Sequence, residues 1–281
     1  MSRFLIGLAC SLILAAVGLW RRTFSLGGAA IVVLIFWGTF ALSGWTWALP
    51  MAAFLMGMIA WHSLFRRTKR DLAFRFADTF RQGSREIAAR LGWAMVLVIL
   101  NRITANTGFY LAFVGALAAA SADMWGTELG VLSRTRPRLI TNGRQVRPGT
   151  AGAISALGIV AGIGASWLSG FLALLAQAIE AGLAGQTLRS PWLWLPASAT
   201  IGGIAGSLTD SLLGAVAQAI YICDSCGRQF EGPTSCCNQP VRQIRGWRWL
   251  TNNVVNLVST IVGAAVTATM AIWLAHSNSQ W

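Results

Sequence analysis

The chain has 281 residues, of which 55% are hydrophobic and only 11% charged, with a mean hydropathy of +0.59. An average soluble domain carries about 25% charged residues, so a soluble fold is excluded and a polytopic membrane protein is expected. The formal charge of +13 would suggest a nucleic-acid binder in a soluble protein. Here it is accounted for by basic loops that fix topology and lie against anionic lipid, so no nucleic-acid partner is expected.

Eight apolar segments follow in chain order, at 4–20, 24–42, 46–64, 87–104, 108–130, 151–179, 191–220 and 252–275. The first has one Arg before it, Arg21 and Arg22 behind it and no small-x-small cleavage site, which makes it a retained helix rather than a signal peptide. The sixth and seventh are glycine-rich ("GAISALGIVAGIGASWLSG", "PASATIGGIAGSLTDSLLGAV"), a spacing of small residues that lets membrane helices approach closely. The 14 tryptophans are expected in part as interfacial belts. The fold expected is all-α: one membrane domain over residues 1–281, an eight-span bundle without internal repeats.

The basic residues test that partition. If the spans alternate, the loops at 21–23, 65–90, 131–150 and 221–251 share one side and hold 19 of the 22 Lys and Arg. Only Arg3, Arg102 and Arg189 remain for the other side. The crowded side is then cytoplasmic and both termini face outward. The expected location is the cell inner membrane, with any polar site facing the cytoplasm.

Of the nine acidic residues, Asp123 and Glu128 fall in the fifth segment ("AASADMWGTELG") and Asp210 in the seventh ("SLTDSLLG"). A carboxylate inside a bilayer costs at least a few kcal/mol and marks a functional site unless it is paired. Both segments run toward the cytoplasm, so all three acids belong to the inner half of the membrane. Asp123 and Glu128 are five residues apart, about 140° around an ideal helix, so one shared ion would need a distortion at Gly126 or separate roles for the two.

Polar stretches converge on the same side: "FADTFRQGSRE" (76–86), "RLITNGRQVRPGTAG" (138–152) and "GWRWLTNNVVN" (246–256). Carboxylates suit Mg²⁺, and arginine forks and helix-start N–H groups suit phosphate. On residue types alone a phosphate-transferring site, an ion-coupled transporter and structural pairing all remain open. The site expected has Asp123, Glu128 and Asp210 as metal ligands or orienters of metal-bound water. Arg85, Arg138 and Arg147 contact phosphate with help from Asn142 and Thr150, and Asn252, Asn253 and Asn256 complete the wall. Asp78 and Glu86 fit a site role or pairing with a neighbouring Arg equally well.

In the 221–251 loop, Cys223 and Cys226 form "CDSC", and Cys236 and Cys237 form "CC". On a cytoplasmic face disulfides are rare, and C-x-x-C followed by Gly suits a zinc knuckle. The adjacent second pair is not standard ligand spacing, so structural zinc, redox chemistry and free thiols all stay open. Cys10 reads as a small apolar filler.

The blocks "AAASADMWGTELG", "RPRLITNGRQVRPGTAGAISALG", "GSLTDSLLGAVAQ" and "IRGWRWLTNNVVN", in this order, resemble the integral-membrane family that contains the phytyl-phosphate kinases of plants and cyanobacteria. The resemblance covers about residues 75 to 270. It departs after "GSRE", where the family has a Gln and then an Asn-Gly pair and this chain reads "IAARLGWAM". The resemblance implies Mg²⁺-dependent transfer of the γ-phosphoryl group of CTP or another nucleoside triphosphate to an isoprenoid monophosphate. A transporter or flippase for a phosphorylated lipid or anion, and a lipid cytidylyltransferase or polyprenol kinase, are the alternatives. A one-sided polar cluster without repeated halves favours the enzyme over the transporter.

Overall fold

A computed structural model describes residues 2–64, 81–188 and 191–278. Among these residues eight helices are long and apolar enough to cross a membrane. They are α1 (Ser2–Trp20), α2 (Leu26–Ser43), α3 (Trp45–Leu64), α4 (Ser84–Thr104), α5 (Gly108–Gly130), α6 (Ala156–Leu183), α7 (Leu195–Val216) and α8 (Asn252–Asn278). The helices carry large apolar side chains on their outer surface, among them Leu5, Ile13, Leu34, Met56 and Val160. That is the composition of helices facing lipid rather than water.

Two expected boundaries shift for local reasons. The sixth span begins at Ala156 rather than 151, because Ser155 is its N-cap and accepts from the Gly158 N–H at 3.1 Å. Residues 153–154 instead form β2 (Ala153–Ile154), antiparallel to β1 (Arg138–Leu139). The seventh span starts at Leu195 with Pro196 in its first turn, a position that needs no N–H donor. It ends at Val216, and the chain then enters β3 (Ile220–Ile222).

Helix α5 is the axis of the bundle: 83% of its span is buried, against 22% to 50% for the other seven. It packs on α3, α4, α6, α7 and α8, and it can do so because its middle turns are small on several sides (Gly115, Ala116, Ala118, Ala119, Ala120, Ala122). It crosses α6 closely, where a Cβ on Gly158 would lie 2.7 Å from the Gly126 carbonyl oxygen, and α8 as closely, where Gly115 lies against the Gly263 carbonyl. At the far end of α5 the Tyr110 hydroxyl lies within hydrogen-bond distance of the Thr46 and Ala173 carbonyls, at 3.2 and 3.3 Å, which ties α3 and α6 to the axis.

Helix direction places the described loops at 21–25, 81–83, 131–155 and 217–251 at one end of the bundle, hereafter the polar end. Direct contacts agree with this. The Ser25 N–H donates to the Gln82 carbonyl and the Gln82 N–H to the Thr23 carbonyl. The 217–251 loop folds into β3, β4 (Gln229–Phe230), β5 (Ser235–Cys236), β6 (Gln239–Pro240) and β7 (Arg242–Arg245), with strand order β4-β3-β7 and a separate β5-β6 hairpin. Arg245 reaches back to the end of α7, donating to the Gly214 and Ala215 carbonyls at 2.8 and 3.1 Å. A cation at a helix C-terminus satisfies orphan carbonyls and opposes the helix dipole. Trp20, Trp247 and Trp249 are exposed at this end, the placement of an interfacial belt.

The α5–α6 crossing gives a clean test. Gly158→Val should overpack it and cost about 1–3 kcal/mol, seen as a lower Tm in detergent. Gly164→Ala, on the same helix with open space around it, should leave Tm unchanged or higher. Equal losses from both would show that the close approach is not what holds α6.

Candidate functional site

Six helices meet at the polar end around one cavity of about 340 Å³, at the lower end of the size range of small-molecule sites. The last turns of α3, α5 and α7 supply His62, Asp123, Glu128 and Asp210, and Gln82 and Arg90 come from before and within α4. The first residues of α6 and α8 add Gly158 and Asn252. The 148–155 loop and Gln229, Phe230 and Glu231 close the remaining sides. In that loop Gly152 has φ +79° and lies against Ala215, so both the turn and the close approach to α7 require glycine there.

The electrostatics centre on one ion pair. Arg90 Nη1 donates to Asp123 Oδ2 at 2.9 Å, with the two side chains only 16% and 13% exposed. The same guanidinium acts on Asp210 and Glu128, and Asp210 in turn feels Asp123 and Glu231. Four carboxylates thus share the space with Arg90. Asp210 Oδ2 is enclosed and, among the described residues, accepts no hydrogen bond. An enclosed carboxylate oxygen with free lone pairs is what a hard cation takes as a ligand. On the same wall, the N-terminal ends of α6 and α8 bring partial positive charge, an arrangement that favours phosphate. Ser155 braces this edge, capping α6 while donating to the Gly130 carbonyl at 3.2 Å and so tying the end of α5 to the start of α6.

The structure brings together Asp123, Glu128, Asp210, Thr150 and Asn252 of the expected set. No helix distortion is needed, since α5 runs unbroken to Gly130 and the cavity wraps around its end. The three acids share a cavity but do not gather round a single point. Among the described residues the four loop cysteines are the one group of three or more His, Cys, Asp or Glu side chains close enough to share an ion. A magnesium ion here would take one or two carboxylates at a time, the usual manner for that ion.

Six expected contacts are not on the cavity wall. Arg85 is exposed on the outer side of α4. Arg138 is exposed and spends one N–H on the Gly143 carbonyl, 2.9 Å away. Asn142 accepts from the Arg144 N–H at 3.1 Å in a local turn, and Arg147 is exposed with its carbonyl receiving the Thr150 hydroxyl at 2.8 Å. Asn253 is half-buried away from the cavity, and Asn256 is buried within the packing of α8. These residues shape the hairpin and the helix start instead of touching the cavity's contents. Glu86 folds back over Gly83 in the first turn of α4, where a carboxylate suits the positive helix end. Asp78 lies outside the described residues. Conversely, Arg90 and Glu231 are on the wall although the sequence did not single them out. For Arg90 a signal existed: it is a cation inside a segment already marked as apolar, and such a charge needs a partner.

The family model described as integral membrane protein DUF92 matches residues 9–264. The chain belongs to this integral membrane family. A curated relative, Protein PGR of Arabidopsis thaliana, is 31% identical over 185 residues, covering 65% of this chain and 62% of that protein. An uncharacterized membrane protein of Methanocaldococcus jannaschii is 34% identical over 175 residues, covering 61% of this chain and 56% of the relative. The chain thus spans less than two thirds of the length of either relative. No solved structure matches it.

The ion pair predicts non-additive mutational effects. Arg90→Met strands a carboxylate in an enclosed site and should lower Tm more than the double change Arg90→Met with Asp123→Asn. The coupling should be about 0.5–3 kcal/mol in a thermal or denaturant double-mutant cycle. Additive losses would show that the two side chains do not depend on each other.

Proposed function

We propose that the protein is a Mg²⁺-dependent kinase that transfers the γ-phosphoryl group of a nucleoside triphosphate to an isoprenoid monophosphate, yielding a prenyl diphosphate. By the positive-inside rule its polar end faces the cytoplasm, and the location proposed is the cell inner membrane. The observation that carries this reading is the joint presence, around one cavity, of four carboxylates, Arg90 and the N-terminal ends of α6 and α8. Neither half suffices alone. Carboxylates would repel a phosphate that arrived without cations, and helix ends alone would not hold cations.

The chemistry asks for alignment and charge neutralisation more than for covalent help. A phosphate oxygen of the prenyl monophosphate attacks the γ-phosphorus, a new P–O bond forms, the bond to the β-phosphate oxygen breaks and the nucleoside diphosphate leaves. Magnesium, when bound, supplies neutralisation of the developing negative charge. Asp210 and Glu128 would hold it, a role supported by Asp210 Oδ2 having no competing donor among the described residues. Arg90 holds Asp123 in position through their 2.9 Å ion pair. The N–H groups at the start of α6 receive phosphate oxygens. Ile159, Ile204 and Leu208, between α6 and α7, give the cavity an apolar flank for the isoprenoid tail.

A transporter would need the site open to either side in turn, near the midplane. This cavity is confined to the polar end, which supports the enzyme.

The test is a phosphoryl-transfer assay on detergent-purified protein with phytyl, geranylgeranyl and farnesyl monophosphates against CTP, ATP, GTP and UTP, with Mg²⁺. Diphosphate formation is expected, falling at least about 100-fold in Asp210→Asn and in Asp123→Asn. Product analysis separates this from cytidylyl transfer or phosphorylation of a free alcohol. No turnover with any pair, together with flux of a prenyl phosphate in proteoliposomes, would replace the kinase with a transporter.

A further inference from the structure

The loop 217–251 poses a physical problem. Of residues 223–242, all described, Cys223 is the one that is buried, so this stretch has no apolar core of its own. Yet it forms two ordered hairpins, and one of them supplies Gln229, Phe230 and Glu231 to the cavity wall. A short coreless segment of this kind ordinarily needs a disulfide or a metal to hold its shape.

The four cysteines sit at the tips of the two hairpins. Cys223 and Cys226 lie in the turn between β3 and β4, where the Gly227 N–H returns to the Cys223 carbonyl at 2.8 Å and the Cys223 N–H to the Arg228 carbonyl at 2.9 Å. Cys236 is the last residue of β5 and Cys237 the first of the turn to β6. Cys237 and Asn238 there have φ values of 52° and 59°, the left-handed pair of a tight hairpin turn. This backbone is what lets two adjacent cysteines aim the same way, and it removes the spacing objection raised by the sequence. The Ser225 hydroxyl donates to Gln239 Oε1 at 3.3 Å, joining the two tips, and Arg242 pairs with Asp224 at 3.0 Å.

One ligand atom from each cysteine lies within 4.8 Å of every other. The Cys226 and Cys236 sulfurs are 3.5 Å apart and those of Cys236 and Cys237 are 3.8 Å apart. Tetrahedral zinc with bonds of about 2.3 Å places its sulfurs about 3.8 Å from one another. A disulfide needs about 2.05 Å, and all four thiols are free. We propose that Cys223, Cys226, Cys236 and Cys237 hold a structural zinc ion that locks the two hairpins together and thereby fixes the wall carrying Glu231. The site is closed, with four protein ligands and no open position, so it takes no part in phosphoryl transfer. The assignment stands independently of the kinase reading.

The experiment is elemental analysis of the full-length protein, purified in detergent under reducing conditions, with a mercurial titration that reads zinc release against thiols modified. About one zinc per chain is expected, released as four thiols react. The paired change Cys226→Ser with Cys237→Ser should bring zinc to near zero while helical circular dichroism and a monodisperse peak persist. It should also open the loop to trypsin at Arg228, which is protected in the zinc-loaded protein. If the variant does not fold, the titration on the unmodified chain decides alone. Protein that contains no zinc and takes up none, iron in its place, zinc retained by the paired variant, or a mass showing disulfides would each overturn the proposal. None of these readouts uses catalytic activity, so failure here and failure of the kinase assay are separately visible.

Discussion

A carboxylate on the most enclosed helix of a membrane bundle has to be answered by positive charge, and the polar end of this protein is arranged around that requirement. Asp123 sits on α5, the axis, where lipid cannot satisfy it. Arg90 meets it from α4 at 2.9 Å, which fixes how those two helices face each other at this end. One guanidinium cannot balance Asp123, Glu128, Asp210 and Glu231 together. The remaining negative charge would favour cations in the cavity, and with the N-terminal ends of α6 and α8 it is the arrangement the proposed metal–phosphate complex would need. The cost of burying acids and the proposed capacity to bind a metal–phosphate complex would follow from the same placement.

Packing determines whether that placement is useful. Acids on α5 and α7 can share one cavity only if their helices approach closely, and helices in lipid do so through small residues rather than through the hydrophobic effect. The Gly126–Gly158 crossing lies between Asp123 and Glu128 in sequence and beside them in space. A larger side chain at Gly158 would move the start of α6, and with it the N–H groups on the same cavity wall as the acids. Arg245 does the equivalent work on α7, holding the Gly214 and Ala215 carbonyls and so the last turns that carry Asp210.

Much of this was legible in the sequence, because lipid imposes strong patterns. Eight spans were marked, and the bounds of α5 were read to the residue, since a long apolar run between polar loops leaves little choice. The three intramembrane acids stood out for the same reason. Loop residues were misread because their environment is set by tertiary contacts that residue type does not encode. Arg138 and Asn142 resemble phosphate ligands by type, but their own hairpin consumes them. Glu231 lies some twenty residues beyond Asp210 in an unremarkable loop, and only the β3–β4 pairing returns it to the cavity. The adjacent cysteines looked like poor ligands because spacing rules assume ordinary backbone, and Cys237 and Asn238 are both left-handed.

The site therefore draws on two sources of rigidity. Asp123, Glu128, Asp210 and Arg90 are carried by helices of the bundle, and their positions follow from the packing of the span that bears them. Glu231 is carried by a loop with almost no buried apolar surface, the kind of segment that opens locally at small free-energy cost. A carboxylate that acts on Asp210 from such a loop would make the charge of the cavity fluctuate unless the loop were fastened by something other than packing. The convergence of four sulfurs on one point, at spacings suited to a tetrahedral ion, would with the proposed zinc bound supply a fastening that does not depend on the lipid at all. The helical part of the site is then governed by the membrane and the loop part by thiolate chemistry, and the cavity is formed where the two meet.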